Sequence, residues 1–357
     1  MPAIGERKKK ETEEPDVLGQ LQSRKQIVDF SRFETDIDDE SGGYTLGFYG
    51  ISKAGKTCTA FSLANLRKEM IPLWGDKFPL CKKYLENDLL PEIKRVVMID
   101  TEGSFKKQKN QIQEKRLFKY IVGRVEFLYL SVQSQVPDSC LEDLRKGITI
   151  SIESSRQIYE DVELIESTIK WVNANSDKNT LVIFDSASKY KDLIEAKGTI
   201  QYDLRILQKG VEAVKDEGFH KLAMRKIWWD AALGMLRGSP GWIVSTFRVV
   251  PTSDYTIAVT KSKGREPAYT KTEALSTTMF ALDMEYDFEL GDSKFSRNIT
   301  IRNGRWVDEN DDENNKFTID FSTRFSSLKL IESMLAVMTD EKLYSDDNEN
   351  YQFPTNS

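Results

Sequence analysis

Hydrophobic and polar positions alternate along this chain in two distinct rhythms. From Leu46 to about Asp320, short runs rich in β-branched and aromatic residues are separated by longer stretches with helical spacing. The short runs Tyr44–Tyr49, Arg95–Asp100, Val125–Leu130, Thr180–Asp185 and Trp242–Phe247 read as strands. Arg156–Val172 carries the clearest helical stripe, formed by Ile158, Val162, Ile165, Ile169 and Val172, with Ser154 and Ser155 before it as caps. That stripe reads as core. Strands interleaved with helices predict an α/β fold whose mostly parallel sheet is sandwiched by helices. Towards the C-terminus, Asp283–Leu290, Arg297–Arg302 and Lys316–Asp320 predict antiparallel strands, and an amphipathic helix follows over Ser326–Met338. The expected organisation is a charged arm over residues 1–40, a core over 41–322, and a C-terminal helix with an acidic tail over 323–357.

Composition narrows the class. The chain has 357 residues, 39% of them hydrophobic and 30% charged, which suits a soluble globular protein with polar extensions. No apolar run approaches the ~20 residues needed to span a bilayer, so no membrane partner is expected. The segment from Met1 to Lys10 lacks the apolar stretch of a secretory signal. The expected location is cytoplasmic, including a nucleoid or the cytoplasm of a viral host. Three cysteines, Cys58, Cys81 and Cys140, have no metal-ligand spacing and read as reduced thiols. His220 is the only histidine, which argues against histidine triads and multi-histidine metal sites. The net charge of −6 gives no global attraction to nucleic acid, so any such contact needs a local basic patch.

The chemistry concentrates in Gly50-Ile-Ser-Lys-Ala-Gly-Lys-Thr57, which has the pattern G-x-x-x-x-G-K-T between a strand and a helical segment. Glycines let such a turn curl until its N–H groups converge on phosphate oxygens at a helix N-terminus. The expected cradle comprises Gly50, Ile51, Ser52, Lys53, Ala54, Gly55, Lys56, Thr57 and Cys58. Lys56 supplies a point charge to the terminal phosphates, and Thr57 offers its hydroxyl to Mg²⁺. The plain alternative is a glycine turn capped by Thr57 with a solvated lysine. Two apolar strands then end in acids: Val96-Val-Met-Ile-Asp100-Thr-Glu102-Gly103, and Leu181-Val-Ile-Phe-Asp185-Ser186. Acids so placed lie at the C-terminal edge of an open α/β sheet, where ligands bind. Asp185 is the expected metal partner of Thr57, and Glu102 the base that polarises an attacking water. Each also reads as an ordinary loop carboxylate capping a helix.

These segments bear a family resemblance. Ile99-Asp-Thr-Glu-Gly-Ser-Phe105 resembles the I-D-T-E-G-T-F segment of RecA/RadA-type recombinase ATPases, and Leu181–Ser186 resembles their metal-binding strand, L-x-x-x-D-S. The resemblance implies a RecA-like P-loop core, ATP and Mg²⁺ as ligands, and catalysis by Glu102. Trp242–Arg248 is similar to the family's sensor strand, with Thr246 where glutamine is usual. Val249–Thr272 corresponds to the mobile DNA-facing loop. Arg297-Asn-Ile-Thr-Ile-Arg-Asn-Gly-Arg305 resembles the R-x-L-x-V-x-K-x-R strand of the KaiC-like branch, which implies that Arg305 reaches a neighbouring subunit's nucleotide. Asn303 stands where that branch has lysine. The insert Lys68–Lys94 is atypical of recombinases and brings the chain nearer to phage-type nucleotide-binding ATPases. A homo-oligomeric ring or filament is the expected assembly.

Single-stranded DNA is the expected macromolecular partner. Between Tyr255 and Tyr269 lie Lys261, Lys263 and Arg265, cations for phosphates beside aromatics that stack on unpaired bases. A solvated β-hairpin explains the same composition. A second cluster, Lys106, Lys107 and Lys109, follows Glu102 closely. Competing functions are a GTPase, a small-molecule kinase and a nucleotide-dependent assembly scaffold. Asp100-Thr-Glu-Gly103 spells D-x-x-G, but the nearest guanine-selecting sequence, Thr260-Lys-Ser-Lys263, ends without the required aspartate.

Overall fold

The computed structural model describes residues 43–103, 105, 125–214, 226–227, 229–232, 234, 236–251, 260–261, 270–272, 282–304 and 315–339. Nine strands are described: β1 Thr45–Gly50, β2 Arg95–Asp100, β3 Glu126–Ser131, β4 Thr180–Asp185, β5 Trp242–Pro251, β6 Thr270–Thr272, β7 Met284–Leu290, β8 Ser296–Gly304 and β9 Lys316–Asp320. They lie in the order β3-β2-β4-β5-β1-β7-β8-β9, with β6 paired to β5 off this path. All pairings from β3 across to β7 are parallel, whereas β8 and β9 continue antiparallel. This is the α/β class that the alternating pattern predicts, with antiparallel strands towards the C-terminus.

β1 and β4 are buried at every position because helices cover both faces of the sheet. The two-residue strand period divides their side chains between two cores. Leu46, Phe48, Val96, Met98, Leu181 and Ile183 face one side. Tyr49, Val97, Ile99, Val182, Phe184 and Ile243 face the other. Helix α1, Lys56–Ser62, begins directly after the glycine loop and passes into a 3₁₀ turn at Leu63–Asn65. It is shorter than the apolar run after the loop suggests.

The insert 68–94 forms two short helices, α2 Ile71–Trp74 and α3 Pro79–Glu86. After β3 come α4, Asp138–Arg145, and α5, Ile152–Asn175. Every residue of the predicted α5 stripe is buried. Its cap is Ser151, whose hydroxyl accepts the Ser154 N–H at 3.0 Å, so the helix starts before the serines expected to cap it. Ser155 instead donates its hydroxyl to the Ser151 carbonyl, one turn back.

Helix α6, Ala187–Lys209, follows β4, and helix α7, Lys329–Met338, ends the described chain. α7 packs into the core on the α1 side through Leu330, Ile331, Met334 and Leu335. Buried Glu332 accepts hydrogen bonds from the Leu80 and Cys81 amides at 2.9 and 2.8 Å, satisfying two otherwise orphaned donors at the α3 N-terminus. Among the described residues, no helix is long and apolar enough to cross a membrane.

Glu332→Ala leaves those two amides buried without their acceptor. The expected cost is about 2–3 kcal/mol of folding free energy, measured by urea denaturation, with Glu332→Gln recovering part of it.

Candidate functional site

Parallel pairing brings several loops to one edge of the sheet. In register, Gly50 of β1 lies opposite Arg248 of β5, and Asp100 of β2 opposite Asp185 of β4. Residues far apart in sequence thus gather where the strands end.

The glycine loop is shaped by close approach. A Cβ on Gly50 would lie 2.6 Å from the Phe288 carbonyl oxygen, and one on Gly55 would lie 2.7 Å from the Phe321 ring. Gly55 also has φ 91°, a left-handed conformation that favours glycine, and serves as the N-cap of α1. Ile51, Ser52 and Lys53 form an exposed rim, Ala54 is buried, and Gly55 through Cys58 are partly covered. The Lys56 ammonium donates to the Gly50 and Ile51 carbonyls at 2.7 and 2.9 Å. Burial lowers its pKa to about 8; the charges of Asp185 and Glu102 oppose that fall, and Arg248 adds to it.

A brace on this loop was not legible as such in the sequence. Arg297, on β8, donates from Nε to the Ala54 carbonyl at 3.0 Å and from Nη2 to the Lys53 carbonyl at 3.3 Å. Its guanidinium lies 5.6 Å from the centre of the Phe321 ring. Occupying those carbonyls fixes the orientation of the loop peptides. The arginines of the β8 segment were the available signal, but the family resemblance implied a role for Arg305 alone.

The expected metal pair meets. Thr57 Oγ1 donates to Asp185 Oδ2 at 2.9 Å, and Thr246 Oγ1 donates to Asp185 Oδ1 at 2.5 Å. Thr246 therefore secures the aspartate. Burial pushes the Asp185 carboxyl above its ordinary pKa; the Thr246 and Thr57 hydroxyls oppose this, while Glu102 and Asp100 reinforce it. A hydroxyl and a carboxylate side by side form a hard oxygen donor set that suits Mg²⁺. Among the described residues, no group of three His, Cys, Asp or Glu side chains is placed to hold a metal.

Asp100 shapes the adjoining turn. Its carboxylate accepts the Glu102, Gly103 and Phe105 amides at 3.1, 2.8 and 3.1 Å, and the Tyr129 hydroxyl at 2.9 Å. Thr101 and Ser186 exchange hydrogen bonds of 2.8 and 3.0 Å between the ends of β2 and β4. Glu102 emerges from this frame, and Ser186 Oγ donates to its Oε1 at 2.5 Å. Beside Glu102 opens a polar cleft of about 410 Å³, whose lining includes Gln133, Asp138, Lys189 and Arg248.

Of the residues expected to touch nucleic acid, Lys261 is described and exposed. Lys263, Arg265, Arg305 and the cluster Lys106, Lys107 and Lys109 lie outside the described residues. The segment 249–272 has an antiparallel base: Val249, Val250 and Pro251 of β5 pair with Thr272, Lys271 and Thr270 of β6. Trp229 is fully buried and stacks on Tyr190 at 6.2 Å, consistent with a core role.

The fold and loop together define an α/β protein with a glycine-rich strand–loop–helix unit at the C-terminal edge of its parallel sheet. No protein-family model matches the chain, and no curated protein matches it. Among solved structures, the crystal structure of the RadB recombinase is similar at 14% identity and a TM-score of 0.32, covering 78% of this chain and 86% of that chain. A likeness of that size assigns no activity.

The Lys56 environment gives a pH test. Below about pH 8 the amine is charged both in the fold and in the unfolded chain; between there and the ordinary value of 10.5 only the unfolded chain keeps the proton. The folded state should therefore gain about 3 kcal/mol across that window, without nucleotide or divalent cation. Denaturation of wild type against Lys56→Met isolates the effect, and parallel pH profiles would show that Lys56 does not titrate this way.

Proposed function

We propose that this chain is a RecA-like P-loop ATPase that binds ATP with Mg²⁺, hydrolyses it, and couples hydrolysis to single-stranded DNA handling in recombination, repair or viral replication. The observation that carries the reading is the Thr57–Asp185 hydrogen bond of 2.9 Å, which joins the glycine loop to the second acid-ended strand. A structural glycine turn has no need of that partner; a magnesium–triphosphate site does.

In this reading the loop amides from Gly50 to Cys58 cradle the phosphates while Arg297 keeps their peptides aligned. Lys56 exchanges its two carbonyl acceptors for phosphate oxygens, a change that favours its charged form. Thr57 and Asp185 hold Mg²⁺, which when bound neutralises charge on the phosphate oxygens. Glu102, oriented by Ser186, takes a proton from the attacking water. The water oxygen bonds to the γ-phosphorus, the bond to the β–γ bridging oxygen breaks, and ADP leaves with that electron pair. Arg305 acts across the boundary of a homo-oligomeric ring or filament, inside the cell. Lys261, Lys263 and Arg265 contact the DNA backbone.

Glu102→Gln keeps the shape and loses the base. It should bind ATP within about threefold of wild type while turnover falls about 10³-fold or more. Equal turnover in the two proteins would remove Glu102 from this role.

The DNA arm is tested by titrating single-stranded DNA into the full-length protein at rising salt. Binding should weaken steeply with salt, Lys261→Ala with Arg265→Ala should reduce both affinity and salt slope, and ATPase activity should rise with DNA. No binding at low salt, with ATP hydrolysis intact, would favour a motor or assembly role without DNA.

A further inference from the structure

We propose that Arg248 is a phosphate-contacting arginine supplied in cis, a catalytic residue held at the reacting centre by Asp192 of α6. This deepens the ATPase reading and rests on it.

Arg248 lies on β5 two residues beyond Thr246, the residue bonded to Asp185, and in register with Gly50, where the glycine loop begins. Its backbone is fixed, since its N–H donates to Ser188 Oγ at 2.9 Å. Its guanidinium is oriented as well: Nη2 donates to Asp192 Oδ2 at 2.7 Å, and Nε lies 3.8 Å from Glu102 Oε1. About a third of the side chain remains exposed, and it lines the cleft beside Glu102.

Structural ion pairing alone does not account for this arrangement. Asp192 is buried and already has a second cation, since Arg145 Nη2 donates to its Oδ1 at 2.5 Å. Arg145 and Arg248 differ in where they lead. Arg145 comes from α4, while Arg248 spans from Asp192 to the carboxylate expected to activate water. A guanidinium there can share one edge with Asp192 and turn the other towards the oxygens of the phosphoryl group in transfer. Charge in that transition state spreads over the equatorial oxygens, and a fixed planar cation is well suited to receive it. A second carboxylate this close also keeps the arginine from collapsing onto Glu102 and neutralising the base. The cleft of about 410 Å³ opens beside both side chains and leaves them accessible to water.

The test uses full-length Arg248→Ala, Arg248→Lys and Arg145→Ala, with ATP turnover and the affinities of ADP and of ADP–aluminium fluoride as readouts. Arg248→Ala should lower kcat about 10²–10³-fold, leave ADP affinity within about threefold, and weaken ADP–aluminium fluoride binding by a factor close to the kcat loss. Added guanidinium should restore part of the activity of Arg248→Ala and none of Glu102→Gln. Arg145→Ala, which loses the other partner of Asp192, should stay within about fivefold of wild type. If Arg248→Ala does not fold, Arg248→Lys carries the test: it should lose at least about tenfold in kcat, because one ammonium cannot serve Asp192 and phosphate together. Turnover within threefold of wild type in the folded variant overturns the assignment and leaves the ATPase reading standing. Equal losses of ADP and ADP–aluminium fluoride affinity also overturn it, by making Arg248 a ground-state or structural contact. A wild-type chain that binds no ADP and hydrolyses no ATP overturns the ATPase reading and this inference together.

Discussion

The hydrogen bond between Thr57 and Asp185 is the contact on which the arrangement of the site depends. It closes a triangle whose sides are β1 with its loop, the end of β4, and Thr246 on β5. None of these residues is near another in sequence. What brings them together is an ordinary property of parallel sheets: strands buried on both faces and running the same way present their C-terminal ends on one edge. Burial of the edge then makes each polar contact there matter. The Asp185 carboxyl is pushed towards its neutral form by burial, and the two hydroxyls supply donors that favour the charge. An added cation would work in the same direction.

A second set of buried charges lies on α6, the helix that leaves β4. Asp192 joins Arg145 and Arg248, and Lys189 Nζ lies 2.5 Å from Asp138 Oδ1 on α4. Taking ions out of water is costly, and a buried pair is weak evidence of stability by itself. Their value is positional. They tie α4 and α6 to the strand end that bears Arg248. The charge pattern of α6 explains why its sequence did not announce a helix: its first turns bury Ser188, Lys189 and Asp192 beside apolar residues, which blurs the apolar stripe.

How far the sequence was readable follows the range of the interactions. β2, β4 and β9 begin and end where their apolar runs do, because a run bounded by polar residues is a local signal. The glycine loop was equally plain, since its glycines answer to local backbone demands. Other features were hidden because their partners are distant. Glu332 looks like an ordinary helical glutamate until α7 is set against the α3 N-terminus. Asp100 reads only as an acid at a strand end, yet its oxygens are committed to three amides and a tyrosine that shape the turn for Glu102. Thr246 reads as an incomplete sensor, and only the register of β4 and β5 shows that its hydroxyl meets Asp185.

The brace on the glycine loop extends this argument to the end of the chain. Loop peptides must hold their N–H groups in a fixed direction for a cradle to bind an anion without reorganising. Gly50 and Gly55 make the curvature possible but do not hold it, since glycine has the most conformational freedom to lose. Rigidity comes from outside: Phe288 on β7 crowds Gly50, the Phe321 ring crowds Gly55, and Arg297 on β8 takes the Lys53 and Ala54 carbonyls while lying over Phe321. Those contacts come from residues 288–321, on the far side of the sheet from β2 and β4. The loop is therefore clamped between two halves of one sheet, with parallel strands supplying the chemistry and antiparallel strands the stiffness. A change in the packing of β8 or β9 reaches the glycine loop directly, through a guanidinium and an aromatic ring. The C-terminal strands belong to the site in the same physical sense as the lysine it was first recognised by.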